Sequence, residues 1–366
     1  MPTTLIITND FPPRIGGIES FIGDLCELLD GDVVVYASGP PGGTATDAVR
    51  RYPVVRDGSL LLPIPRVAER ARIVLRRFGA TRVLFGAAAP LGLLAPSLRR
   101  AGAQVVVGLT HGHETWWATL PGARQVLRRI GEACDHLTTI SEYTSARIRP
   151  ALSRAAAGRM LGLVPPIDTK QFRPAPRADE RRRCVAVGRL VAQKGFPTLL
   201  RAWHLVVQLS APDVPELILV GDGLGRPRLE SMISQLGLAD TVRITGAIPR
   251  TQVITALQQA DVFALPVRTR LCGLNPEGLG LAALEAASTG LPVIIGNSGG
   301  APETVRHGTT GFVVDPNDHV EFASRIGALL SDADLRRAMG AAGRSMVQEC
   351  FGAERARAIL RLALRL

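Results

Sequence analysis

Short runs of apolar residues, rich in Val, Ile and Leu, recur through the chain and alternate with longer segments of helical period. That alternation constrains the fold more than any other feature. Strands buried on both faces read as near-continuous apolar runs, and intervening helices supply the crossovers that parallel pairing requires. In the first half the strand candidates are 4–8, 32–37, 82–86, 104–109 and 136–140. A proline-rich stretch, "VPPIDTKQFRPAPRADE" at 164–180, reads as a linker. A second series begins beyond it, at 184–188, 216–221, 242–246, 262–266, 292–296 and 311–314. At 366 residues the chain is long for one core. The expected architecture is α/β, with two Rossmann-like parallel-sheet domains over 1–166 and 167–351. The closing helix, 352–366, is expected to pack back on the first domain. No short internal repeat is visible.

No window offers the roughly 18 uninterrupted apolar residues of a membrane span. The richest, 83–98, is broken by Pro90, Pro96 and glycines and reads as a strand, a turn and a short helix. The first residues enter a strand-like run with no basic leader or cleavage site. The five cysteines are scattered without CxxC spacing. Both features suit a cytoplasmic chain with reduced thiols.

The formal charge is +11, and only Lys170 and Lys194 of the 43 basic residues are lysines. Residues 50–100 concentrate the excess, with 11 Arg against Asp57 and Glu69. Within them "PRVAERARIVLRRFG" (65–79) reads as a helix with Val67, Ile73, Val74 and Phe78 apolar. Such a helix can lie on an anionic bilayer, and equally it can be a solvated surface helix. With aromatic residues at 4% and no recognisable binding motif, nucleic acid is not an expected partner.

In open α/β sheets ligands sit beyond the carboxyl ends of the strands. After the first strand, Gly16-Gly17 opens a helix, where backbone can approach an anion closely. In "VGRLVAQKGF", Arg189 and Lys194 share one loop and together make a diphosphate clamp, or else two surface charges. In "NPEGLGLAALEAAS", Glu277 precedes a helix expected to start near 278–280, and Glu285 lies more than a turn inside it. The amides of Leu279, Gly280 and Leu281 would point outward between them, a phosphate site with a carboxylate on either side. Carboxylates accept paired bonds from vicinal diols, and a nucleotide sugar carries two such diols. "GLTHGHE" places His111 and His113 just past a strand, where a hydrogen-bonding role suits them better than a metal pair. No divalent-metal site is expected.

Taken in order, these segments resemble the retaining glycosyltransferases of the GT-B fold, family 4. "EGLGLAALE" matches the family's pair of glutamates eight residues apart. The early Gly-Gly, "DTKQF", "GRL…KG", "VGDG", "ADVFALP" and "SGGAPETV…GFVV" follow the same pattern across nearly the whole chain. "TNDFPPRIGGIESF", "LFGAAAPL", "THGHE" and "GNSGGAPETV" look closest to the actinobacterial branch acting on phosphatidylinositol monomannoside. The resemblance implies two domains facing across a cleft, GDP-mannose as donor, a glycolipid acceptor, no metal or other cofactor, and peripheral association with the inner face of the plasma membrane.

Carried over by residue, it puts Arg189 and Lys194 on the diphosphate, Glu285 on the ribose and Glu277 on the donor sugar. Gly17 would pass against the phosphates, and the backbone of Ile248 would face the base. His111 would approach the sugar, while Asp10 would face the acceptor. Departures from the pattern are the missing glycine before Asp168, the residues Leu274-Asn275-Pro276 ahead of Glu277, and Trp116-Trp117 on the acceptor side.

Three alternatives share some of these features. One is a family-4 transferase using UDP-glucose, UDP-N-acetylglucosamine or another nucleotide sugar on a small-molecule acceptor. A nucleotide-sugar epimerase of the same fold is another. The third, a nicotinamide enzyme, would have to use "GDGLGR", which lacks GxGxxG spacing.

Overall fold

The structure, a computed structural model, describes residues 3–14, 16–29, 32–40, 43–177, 179–210, 212–270, 273 and 275–366. The chain divides into two compact units, residues 1–166 with 353–366, and residues 167–352. Each is organised around one parallel sheet.

The first sheet contains β1 (Thr4–Thr8), β2 (Val33–Ser38), β3 (Val54–Asp57), β4 (Arg82–Phe85), β5 (Val105–Leu109), β6 (His136–Thr139) and β7 (Leu161–Gly162), in the order β3-β2-β1-β4-β5-β6-β7. Every adjacent pair is parallel. The central strands β1 and β5 are buried along their whole length, which is why they read as unbroken apolar runs. The two edge strands, β3 and β7, were not expected from the sequence. β3 carries Arg56 and Asp57 within its four residues, and β7 has only two residues, so neither presents an apolar run. The helix Ala353–Leu364 belongs to this unit, where Arg82 Nε donates to the Leu364 carbonyl at 2.6 Å.

The second sheet holds β8 (Arg183–Val187), β9 (Glu216–Val220), β10 (Val242–Ile244), β11 (Val262–Leu265), β12 (Val293–Gly296) and β13 (Gly311–Val314). Its order is β10-β9-β8-β11-β12-β13, again wholly parallel. In both sheets the chain fills one side and then crosses to the other, first between β1 and β4 and then between β8 and β11. Loops on either side of such a reversal diverge and leave a crevice at the carboxyl ends of the strands.

The helix Pro65–Arg77 forms as expected, but its inward face differs. Val67, Ala71, Val74 and Leu75 are buried, whereas Ile73 is 54% exposed. Val67, Ala71 and Val74 lie on one stripe by their spacings of four and three, and Ile73 falls outside it. Several of the arginines between residues 50 and 100 are also engaged. Arg56 pairs with Asp47 at 2.7 Å, Arg70 with the buried Asp57 at 2.7 Å, and Arg99 with Asp135 at 2.6 Å. Burial alone would raise the Asp57 pKa. Hydrogen bonds from Tyr36, Arg70 and Ser59 outweigh it and hold the carboxyl below the usual range. Among the described residues, no helix is long and apolar enough to cross a membrane.

Candidate functional site

In the second unit the loops leaving β8 and β11 flank the crossover. The first, Gly188–Gly195, ends in a short 3-10 turn, Ala192–Lys194. Lys194 Nζ donates to Glu277 Oε2 at 2.7 Å, with the two side chains only 18% and 12% exposed. Gln193 Nε2 ties the same two loops together by donating to the Pro276 carbonyl at 2.8 Å. Arg189, five residues before Lys194, is exposed, and its guanidinium has no partner among the described residues.

The backbone around Glu277 is held by the turn after β12. Gly300 N donates to the Glu277 carbonyl at 2.9 Å, and the Glu277 amide lies 3.4 Å from Ser298 Oγ. Gly299 can be nothing larger: its φ is +59°, and a Cβ there would lie 1.9 Å from the Glu277 carbonyl oxygen. The sequence "SGG" is therefore a cradle for the glutamate's main chain.

The helix that follows starts at Leu281, and Gly280 caps it with φ +102°. The N–H groups of Leu279, Gly280 and Leu281 donate to no acceptor among the described residues. They carry the partial positive charge of a helix N-terminus. Glu285 lies in the second turn, 15% exposed, and pairs with Arg250 Nη1 at 3.2 Å. That pairing was not legible in the sequence, since 35 residues separate the partners. Arg250 in turn stacks over Phe172, 4.9 Å from the ring centroid. Ile248 sits just before Pro249, which caps the helix Arg250–Gln258, so its backbone lies at the carboxyl end of β10. The structure thus brings Lys194 and Glu277 into contact, places Arg189 on the same loop as Lys194, and puts Glu285 on the helix that Glu277 leads into. Leu274 lies outside the described residues.

In the first unit the loop after β1 holds Asp10 and leads to Gly16 and to Gly17, the first residue of the helix Gly17–Leu28. A Cβ on Gly16 would meet the Glu19 carboxylate at 2.2 Å. The Asp10 amide bonds back to Thr8 Oγ1 at 3.0 Å, and its carboxylate has no partner among the described residues. His111 follows β5. Its Nε2 hydrogen-bonds the Gly86 carbonyl, and Phe21 meets its ring edge-on at 5.9 Å. Burial depresses the His111 pKa, so the ring is neutral at pH 7.

His113 stacks on His111 with ring centroids 6.1 Å apart. Beneath both lies Glu114, fully buried, a residue whose role the sequence did not reveal. Its Oε2 accepts the His111 amide at 2.8 Å, and Oε1 has His113 Nε2 at 3.3 Å without an aligned hydrogen bond. Trp116 and Trp117 pack together at 4.9 Å. No three His, Cys, Asp or Glu side chains among the described residues are grouped to hold a metal ion.

Chemically, the second unit offers an ammonium, a free guanidinium and unbonded amides for an anion, with carboxylates adjacent for hydroxyl groups. Comparison with known proteins gives the family. Residues 168–346 match the family described as "Glycosyl transferases group 1", and residues 15–157 match "Glycosyltransferase Family 4". A GDP-mannose-dependent alpha-(1-6)-phosphatidylinositol monomannoside mannosyltransferase of Mycobacterium tuberculosis is 43% identical, over 95% of this chain and 94% of that one. A Corynebacterium glutamicum mannosyltransferase, named for the monoacylated form of that acceptor, is 40% identical over 94% of this chain and 93% of its own.

Among solved structures, sucrose-phosphate synthase from Thermosynechococcus elongatus superposes with a TM-score of 0.82 at 22% identity, covering 99% of this chain and 98% of that one. HepE from Anabaena, in complex with UDP, gives 0.82 at 18% identity, covering 99% of each chain. At that identity the two structures attest to the fold alone. With relatives of such identity matched along nearly their whole length, the chain belongs to the family-4, group 1 glycosyltransferases and has their GT-B fold.

Proposed function

We propose that this glycosyltransferase moves mannose from GDP-mannose to a glycolipid of the phosphatidylinositol mannoside type, with retention of configuration and without a metal ion. The observation that carries the reading is the Lys194–Glu277 pair at the crossover of the second sheet, with Arg189 unpartnered on the same loop. The choice of donor and acceptor rests on the names of the full-length relatives.

In this reading Arg189 and Lys194 receive the diphosphate, and the amides of Leu279, Gly280 and Leu281 add donors to it. Glu277 takes the mannose hydroxyls, Glu285 the ribose, and the Ile248 backbone the base. Gly16 and Gly17 let the main chain pass close to the phosphates. As the glycosidic bond to the diphosphate breaks, negative charge grows on the leaving oxygen. The two cations stabilise it, and that oxygen accepts the proton of the attacking hydroxyl on the same face. No side chain forms a covalent bond. Neutral His111 would hydrogen-bond the sugar, with Asp10 and His113 toward the acceptor.

The acceptor is a lipid, which fits peripheral association with the inner membrane face. Leu60, Leu62, Ile64 and Ile73 are exposed near the helix Pro65–Arg77, whose last turn carries Arg76 and Arg77. Such a surface suits an anionic bilayer.

The test is transfer from GDP-mannose, UDP-glucose and UDP-N-acetylglucosamine to a phosphatidylinositol mannoside in the presence of EDTA. Turnover with GDP-mannose alone, giving an α-linked product, is expected. Turnover only with a uridine donor, or only with added metal, would replace the proposal.

A further inference from the structure

We infer that a polar cavity beside the donor region of the second unit is an oxyanion site, built for a phosphate or phosphodiester group. The cavity, about 480 Å³, lies beyond the carboxyl ends of β11, β12 and β13, and Arg268, Thr269, Arg270, Asn297, Asp315 and Asn317 contribute to its lining. That volume suits a small ligand.

Arg268 is half-buried. Its Nη2 donates to Thr198 Oγ1 at 2.5 Å and to the Pro316 carbonyl at 3.0 Å, while its buried Nε has no partner. Burial first, and then the nearby charges of Arg270 and Arg201, depress its pKa. The Asp315 carboxylate acts in the opposite sense, as a counter-charge to Arg268, but no described carboxylate comes within ion-pair distance of Arg201, Arg268 or Arg270. The one carboxylate in the lining, Asp315, is already bonded through Oδ1 to the Asn317 amide at 2.8 Å and to its Nδ2 at 3.1 Å. Arg270 is held in place by its backbone, which exchanges hydrogen bonds of 3.1 Å with Asn275. Its guanidinium has no partner among the described residues.

Two arginines and a single carboxylate line the cavity, so a bound anion would balance its charge, and planar guanidinium forks match phosphate oxygens. The cavity is also wired to the donor region. Thr269 Oγ1 is 2.9 Å from Ser298 Oγ, the hydroxyl that lies 3.4 Å from the Glu277 amide. Two sources could supply the oxyanion, a lipid headgroup phosphodiester or free inorganic phosphate. Binding stands apart from the proposed transfer reaction, and only the headgroup source rests on it.

The experiment is calorimetric titration of the protein with inorganic phosphate and with glycerophosphoinositol, GDP being kept saturating so that Arg189 and Lys194 are occupied. One bound equivalent is expected. Arg270→Ala and Asn297→Asp, both at exposed positions, should each weaken it at least tenfold while leaving GDP affinity unchanged. Tighter glycerophosphoinositol assigns the headgroup, and tighter phosphate assigns the free ion. Either result supports the site. Uptake of neither probe by the wild-type protein, or uptake unaltered by both substitutions, overturns it. Failure of GDP itself to bind would count against the proposed function, and the Arg270→Ala comparison would still report on the cavity.

Discussion

Glu277 has one carboxylate and two claims upon it. It accepts the Lys194 ammonium at 2.7 Å, and in the proposed reaction it receives the hydroxyls of the donor sugar. Glu277→Gln keeps the shape and removes the charge, and Arg189→Ala removes the free guanidinium. Each is expected to lower transfer at least about tenfold, the scale of one lost transition-state contact of ~1.4 kcal/mol. A rate equal to wild type in either variant would remove that residue from the site.

His111 gives a second expectation, read from pH. Its folded pKa lies below that of the unfolded chain, about 6.5. Above that value both states are neutral, and there is no penalty. As pH falls through it the unfolded chain binds the proton first, so stability declines. The melting temperature of the wild type should therefore drop more between pH 7 and pH 5 than that of His111→Gln. Equal drops would mean that the ring is not held neutral.

At the scale of the element, the helix Pro65–Arg77 keeps Ile73 outside while its arginines are partly committed to Asp57 and Glu69. Binding to anionic vesicles is expected to depend on both apolar contact and the uncommitted charges. Ile73→Ser combined with Arg76→Glu should reduce vesicle binding at least about tenfold, and high salt should weaken the wild type by screening. Binding that ignores both the salt and the double substitution would exclude this surface.

The same helix shows where sequence reading reached its limit. Helix and strand order was legible, because central strands buried on both faces leave continuous apolar runs. The inward face of this helix was misjudged, because Ile73 looks more apolar than Ala71 although only Ala71 shares a stripe with Val67 and Val74. β3 and β7 escaped notice because edge strands need no apolar run. At the site, Arg189, Lys194 and Glu277 stood out because each lies on a loop leaving a strand. Arg250, Glu114 and the Arg268 cavity did not, because their importance lies in contacts between distant segments or in burial.

At the scale of the whole molecule, the groups proposed to hold the donor, Gly16, Gly17 and His111 excepted, belong to residues 167–352, and those proposed for the acceptor belong to the other unit. GDP at about 100 times its dissociation constant should add ~2.7 kcal/mol to whatever folds with it. Hydrogen exchange should slow chiefly in Gly188–Gly195, in residues 246–250 and in residues 277–285. Protection equal in β1–β7 would contradict a nucleotide held mainly by the second unit.

The Lys194–Glu277 contact has a further consequence for selectivity. The group proposed to receive phosphate and the group proposed to receive sugar are, until then, each other's counterion. A free nucleotide that draws off Lys194 would leave a sparingly solvated carboxylate without its counterion, whereas a free hexose on Glu277 would find that carboxylate still shared with the ammonium. A molecule carrying both halves would supply phosphate to the ammonium and hydroxyls to the carboxylate it leaves. On the proposed roles, the contact would favour the intact conjugate over the free nucleotide, in a way that pocket shape alone would not provide.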